Sequence, residues 1–322
     1  MDRVRVVFMG SPEFAVPSLQ AVAAEYDVVA VVCQPDKPAG RGKQLTAPAV
    51  KVAALALQVP VLQPASVRGP AFVAQLQEFA ADVAVVVAYG KILPRGVLEA
   101  FRLGCINVHG SLLPAYRGAA PIQWAVIDGL RETGVTIMQL DEGMDTGPML
   151  ARQTMPILPG QSAGALATAM APIGAVALMQ TLREVVAGRA VATAQPGNAS
   201  VARMLRKEDG WIDFTQAAAQ VAARINGVDP WPGAQAMLHA GDDTAVAIKL
   251  FGAVTIDGAS SSAAPGTIVA ISTAGADVAC ADGIVRIGDI QVAGRKRMAF
   301  AALAAGRGVT VGQLLTRVQA PS

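Results

Sequence analysis

The hydrophobic positions fall into two textures along the chain. Through the first 150 residues, short runs of Val, Ile and Ala alternate with longer stretches of helical spacing. Arg3–Met9 is a β-branched run, and the Ser11-Pro12-Glu13 that follows reads as a helix N-cap with Pro at the first helical position. Further apolar runs occupy Asp27–Cys33, Ala81–Ala88, Cys105–His109 and Thr133–Leu140, and an Ala/Leu helix is expected from about Ala49. Continuous runs of this kind, separated by helices, predict an α/β unit whose mostly parallel sheet is covered on both faces. Ligands of such sheets bind outside the carboxyl ends of the strands.

Past Gly188 the pattern changes. Ala190–Ser200 (AVATAQPGNAS) is small, polar and uncharged, which predicts a linker crossing the surface. A helix at Thr215–Asn226 is followed by short alternating runs at Ala234–His239, Ala245–Val254, Gly266–Ile271, Asp277–Cys280 and Ile284–Val292. Strands at this spacing predict a small antiparallel barrel. The expected organisation is a first domain over 1–189, a linker over 190–206 and a barrel domain over 207–322. Between Arg152 and Arg183 no residue is charged, so a membrane span has to be weighed. Its apolar residues are mostly Ala, and Leu166, Met170, Ile173 and Ala177 share one helical face. A packed amphipathic helix fits better than a span, which needs ~20 strongly apolar residues.

Composition narrows the classes. Of 322 residues, 53% are hydrophobic and 16% charged, which excludes general disorder and gives room for about two cores. The 26 Lys and Arg nearly balance 24 Asp and Glu, so nucleic acid could be held only by local basic patches. Cys33, Cys105 and Cys280 form no C-x-x-C pair, which argues against a disulfide framework or a structural zinc and for a reducing cytoplasmic setting. The first residues do not read as a signal peptide.

Histidine is scarce, with His109 and His239 alone. His239 ends a run in the second half with no carboxylate pattern around it, and an edge or surface role suffices. His109 closes Gly104-Cys-Ile-Asn-Val-His-Gly-Ser-Leu-Leu-Pro114. Because strand side chains alternate, Asn107 and His109 project from one face and Val108 from the other. An amide beside an imidazole at a strand end offers a fixed donor and a titratable proton carrier, although spacing alone fits a structural role equally well. Asp141-Glu-Gly-Met-Asp145-Thr-Gly147 follows the strand run ending at Leu140 and is a shaped loop, its glycines permitting close backbone approach. Glu142 reads as a solvated acid, whereas Asp145 is placed to orient His109 and fix its tautomer. Gly10 follows the first strand, but no G-x-G-x-x-G completes it, which removes a dinucleotide fingerprint. Two distant His and isolated Cys leave no expected metal site.

These residues carry a resemblance. The runs NVHGSLLPAYRGAAPIQW (107–124) and TGVTIMQLDEGMDTGPML (133–150) resemble the signature of the folate-dependent formyltransferases. FMGSPEFAVPSL, QPDKPAGRGK (34–43), VVVAYGKILP (85–94), DPWPGA (229–234), PGT (265–267) and AGRKRM (293–298) are similar to the branch that acts on methionyl-tRNA. Together they span essentially the whole chain.

The resemblance implies a Rossmann-like transformylase domain followed by an OB-like barrel, with N10-formyltetrahydrofolate as formyl donor and methionyl-initiator-tRNA as acceptor in translation initiation. It implies Asn107, His109 and Asp145 as catalytic residues. Tyr89, Gly90, Ile92, Leu93, Ser111, Leu112, Leu113, Pro114, Asp141 and Gly143 would line the folate pocket. On composition alone the Gln34–Gln44 segment is a solvated loop; by the resemblance it becomes an arm whose Arg41 and Lys43 meet the tRNA acceptor stem. Arg206 and Lys207 beside Arg203, with Arg295, Lys296 and Arg297, are candidate phosphate contacts. Members of the family often carry a basic residue where this chain has Ala115 and Trp124, so the acceptor end is expected to meet fewer of the usual charges. No membrane, metal or obligate protein partner is expected. A formyl-folate hydrolase or small-amine transformylase would not require a basic-patched barrel, and a non-catalytic RNA-binding protein would not need Asn107, His109 and Asp145 together.

Overall fold

The computed structural model describes residues 3–39, 44–239, 245–306 and 308–318, and the chain divides into two units. The first runs to Pro121 and includes Thr133–Met155 and Ala167–Ala202; the second comprises Ile122–Glu132, Pro156–Leu166 and the chain from Arg203 onward. In chain order the first part of the molecule holds β1 (Arg5–Gly10), α1 (Val16–Glu25), β2 (Asp27–Val32), the short pair β3 (Lys37–Ala39) and β4 (Gln44–Thr46), α2 (Ala49–Ala56), β5 (Val61–Leu62), α3 (Pro70–Glu78), β6 (Val83–Val87), α4 (Arg95–Leu98) and β7 (Cys105–His109). These are followed by β8 (Arg117–Gly118), α5 (Pro121–Ile127), β9 (Glu132–Gln139), β10 (Met149–Pro156), α6 (Ala163–Val186) and β11 (Val201–Ala202).

The main sheet has the order β10-β9-β7-β6-β1-β2-β5. From β5 to β7 its pairs are parallel, and β9 joins β7 antiparallel. The expected runs form these strands because their residues are buried on both faces: Val83–Val87 and Cys105–His109 are buried throughout. Each fully buried Val, Ile or Leu contributes about 1.5–3 kcal/mol, which fixes the register of the interior strands. Cys105 packs among Phe72, Leu76, Val97 and Phe101 on the strand face that continues to Asn107 and His109. Val108 points the other way, where α6 comes so close that a Cβ on Gly174 would sit 3.1 Å from a Val108 methyl. α6 is long and apolar enough to cross a membrane, but Leu166, Met170 and Ala177 on the predicted face are buried within the protein.

One local expectation is corrected. Ser11 does not cap a helix: its hydroxyl accepts the Gln34 N–H at 3.0 Å, and a short 3-10 turn at Glu13–Ala15 precedes α1. Residues up to Ala202 group with the first unit, where β11 pairs in parallel with β8.

The second unit continues with α7 (Ala218–Gly227), β12 (Ala234–His239), β13 (Ala245–Thr255), β14 (Ile268–Ser272), β15 (Gly275–Ala279), β16 (Ile284–Val292), β17 (Met298–Ala299), α8 (Phe300–Ala305) and β18 (Leu314–Arg317). Its antiparallel sheet has the order β14-β15-β16-β13-β12-β18, with β17 on β16. The sheet curls until its edges meet, the Leu315 N–H donating to the Gly266 carbonyl at 2.8 Å and that of Ile268 to the Gln313 carbonyl at 2.9 Å. Buried Asn226 at the end of α7 acts as an extra strand residue, exchanging hydrogen bonds of 2.7 and 3.0 Å with Ala253 of β13.

Candidate active site

The antiparallel pairing places Asn107 opposite Met138 and His109 opposite Thr136, so both side chains emerge from the carboxyl end of β7 on one face. They are 8% and 6% exposed. His109 Nε2 lies 2.9 Å from the Tyr116 carbonyl oxygen, which can only accept, so that nitrogen carries a proton. His109 Nδ1 faces Asp145 Oδ2 at 3.6 Å, a separation that admits an ion pair or a water-relayed bond. Each ring nitrogen therefore looks at an acceptor, and a doubly protonated ring satisfies both. The Asn107 carboxamide makes no hydrogen bond among the described residues, although it is buried. Its amide nitrogen and oxygen are not among the fully enclosed unpaired polar atoms, so the group stays open to an oxygen brought from outside.

Asp145 is steered by its backbone as well as its carboxylate. Its φ is +54°, a left-handed conformation that Asp tolerates better than most residues, and its Oδ2 accepts the Gly118 N–H at 2.7 Å. The loop around it is built rather than slack. Asp141 Oδ1 accepts the Gly143 N–H at 3.0 Å and the Thr146 hydroxyl at 2.7 Å, and Gly147 approaches the Gln139 carbonyl so closely that no Cβ would fit. Gln195 Nε2 donates to the carbonyls of Asp145 and Gly147, both at 2.8 Å.

The turn after β7 is similarly tied. The Ser111 hydroxyl donates to the Ala115 carbonyl at 2.6 Å; Thr136 Oγ1 accepts the Leu113 N–H at 3.0 Å and donates to the Ser111 carbonyl at 2.7 Å. The Leu113–Pro114 peptide is cis.

Of the residues expected to meet folate, Gly90, Ile92, Asp141 and Gly143 are exposed, and Leu112 and Pro114 partly so. Tyr89, Leu93, Ser111 and Leu113 are buried, so their side chains shape the walls from behind and present no surface to a ligand. Tyr89 differs most from expectation: it belongs to the core beside Val7, Met9 and Val32, and burial pushes its phenol up to about 12.

Arg41 and Lys43 lie outside the described residues. In the second unit Arg206, Lys207, Arg295 and Lys296 are exposed, and no ion pair engages them among the described residues. Arg297 is held within the second unit. Its guanidinium is committed to Asp289 at 2.8 Å and Asp229 at 3.5 Å and lies 4.2 Å from the Phe251 ring centroid. Trp124 is flanked by the guanidiniums of Arg203 at 4.8 Å and Arg224 at 5.7 Å. Sequence reasoning missed Tyr116, Gly118 and Gln195. The first two act through backbone atoms, which leave no side-chain signature, and Gln195 lies in a stretch without hydrophobic periodicity.

The formyl transferase family matches residues 3–182 and its C-terminal domain matches residues 204–308. The chain is 47% identical over 316 residues to the methionyl-tRNA formyltransferase of Sorangium cellulosum (strain So ce56), covering 98% of this chain and 100% of that one. It is 44% identical to the methionyl-tRNA formyltransferase of Myxococcus xanthus (strain DK1622), covering 97% and 98%. Among solved structures, WlaRD, a sugar 3N-formyl transferase, shares the fold at a TM-score of 0.64 and 16% identity, over 92% of this chain and 100% of that one. HypX from Aquifex aeolicus, also solved with tetrahydrofolic acid, aligns in one variant at a TM-score of 0.64 and 16% identity, over 94% of this chain and 48% of its own.

Proposed function

The chain belongs to the formyl transferase family, and from that membership we propose that Asn107, His109 and Asp145 carry out its reaction. The protein is a one-carbon transferase that moves a formyl group from N10-formyltetrahydrofolate to the α-amine of methionine esterified to initiator tRNA. The single observation that carries the residue assignment is a ring with an acceptor at each nitrogen, on the same strand face as an amide that no described residue engages.

The chemistry follows from that arrangement. An α-amine has an ordinary pKa of about 7.7–8.0, so a useful fraction is neutral near pH 7 and activating it is the smaller task. The larger tasks are holding the charge that grows on the formyl oxygen and protonating the departing N10. Asn107 donates its amide to that oxygen as the carbon becomes tetrahedral. His109 adds positive charge and passes a proton through Nδ1, the edge not fixed by the Tyr116 carbonyl. Asp145 faces that edge as its acceptor. The new C–N bond forms at the amine as the C–N10 bond breaks; the amine loses one proton and N10 gains one.

The residues fit a folate donor. The exposed Ile92 side chain and the Gly90 backbone offer apolar and polar surface beside the end of β6, and the Asn107 amide waits for a carbonyl oxygen. The exposed basic residues of the second unit support an RNA acceptor. We also place the protein in the cytosol: its three cysteines are free and buried, and burial raises the thiols of Cys33 and Cys280 to about 11 and that of Cys105 to about 12.

The test mixes the protein and formyl-folate with methionyl-initiator tRNA, methionyl-elongator tRNA or free methionine. Formylmethionine should form on the initiator tRNA. Formate released without acceptor turnover would overturn the transfer reaction.

A further inference from the structure

We propose that residues 193–202 form a strap that sets the distance between Asp145 and His109, with Gln195 and Ser200 as positioning residues. The proposal rests on the catalytic assignment above.

Gln195 uses its full hydrogen-bonding capacity. Its Nε2 donates to the Asp145 and Gly147 carbonyls, and its Oε1 accepts from Arg117 Nε at 3.0 Å and Nη2 at 2.6 Å. An amide offers two donors and two lone pairs, and here all four are used. The residues it joins are the ones that grip the pair. Arg117 lies between Tyr116, whose carbonyl takes the His109 Nε2 proton, and Gly118, whose N–H holds the Asp145 carboxylate.

Both ends of the strap are pinned. Thr193 exchanges two 2.8 Å backbone hydrogen bonds with Met149, just beyond the Asp145 loop. Ser200 accepts the Tyr116 N–H on its hydroxyl and the Arg117 N–H on its carbonyl, each at 2.8 Å. One segment thus holds Asp145 from its backbone side and His109 through Tyr116. A surface linker would have no need of a fully bonded amide at its centre. Asp145 carries a left-handed φ, and Gln195 binds its carbonyl and that of Gly147 two residues on.

Displacing a reacting group by about 1 Å can cost roughly a hundredfold in rate. Gln195→Glu is isosteric and keeps an oxygen for Arg117, but sets a second oxygen against two carbonyls. Its kcat should fall about ten- to a hundredfold, with KM for both substrates within about twofold of wild type. Ser200→Ala, which moves Tyr116 alone, should lower kcat by less. Asn198→Ala, exposed in the same segment and without a hydrogen bond among the described residues, should keep wild-type kcat.

The second readout is spectroscopic. The chain has two histidines, so ring-nitrogen NMR gives two sets of signals. In Gln195→Glu the His109 set should shift while the His239 set stays. Asp145→Asn is measured alongside. If it keeps wild-type kcat, the catalytic assignment fails whatever the strap does. If it loses kcat while Gln195→Glu keeps wild-type kcat, or leaves the His109 signals unmoved, the strap proposal is overturned and the assignment stands.

Discussion

At the residue scale the site is an imidazole ring between two acceptors, with an amide on the same strand. Removing the Asn107 donor should lower kcat about 10²–10³-fold, the usual cost of one oxyanion donor, with smaller effects on substrate binding. Quench-flow with saturating formyl-folate measures it; a kcat within twofold of wild type for Asn107→Ala would remove the oxyanion role. His109→Ala should abolish most turnover while leaving tRNA affinity near wild type, as a binding titration would report. Asn107 and His109 were legible because strand side chains alternate and both sit at a strand end. The Tyr116 carbonyl was not, since a backbone acceptor belongs to any residue type.

Among elements, the Asp145 loop and the end of α7 show what holds the frame. Gly147→Ala should cost about 1–3 kcal/mol of stability or force the loop open, because its Cβ would meet the Gln139 carbonyl. Activity lost beyond the drop in folded fraction would report the displaced Asp145. Asn226→Ala should destabilise the second unit by about 1–3 kcal/mol, since it leaves both the N–H and the carbonyl of buried Ala253 unpaired. A urea midpoint series reads both variants.

Acid should act through Asp209. The Arg203 guanidinium and the Arg206 N–H hold its carboxylate below the ordinary range, despite partial burial. A depressed folded value means that stability is present above the unfolded value of about 3.9 and is lost as pH falls below it. Asp209→Asn should therefore be less stable than wild type at pH 7, on the order of 1–2 kcal/mol, and the gap should close below about pH 4. A gap independent of pH would contradict the ion pair.

Most strands could be read because buried runs and alternating runs differ in period: β12 and β16 fall on the residues the alternation marked. The strap could not. Its order comes from backbone and amide hydrogen bonds to distant segments, and small uncharged residues carry no periodic trace of those. Ser11 misled for a related reason, since a hydroxyl before Pro suits a cap and a tertiary acceptor equally.

For the whole molecule, near-neutral charge leaves RNA affinity to local groups. Neutralising Arg41 and Lys43 together should weaken acceptor use and flatten the log–log salt dependence by about two, one for each phosphate that is no longer neutralised. Unchanged kinetics across a salt series would remove the arm from the account. The basic positions on the second unit were legible as clusters; the commitment of Arg297 to Asp289 and Asp229 was not, because its partners are remote in sequence from one another.

The most direct test of the central claim is the single-turnover rate of formyl transfer by Asp145→Asn, with saturating formyl-folate and methionyl-initiator tRNA. If Asp145 keeps His109 charged beside Asn107, the rate should fall at least a hundredfold while the tRNA Kd stays within about twofold of wild type. A rate near wild type would contradict it.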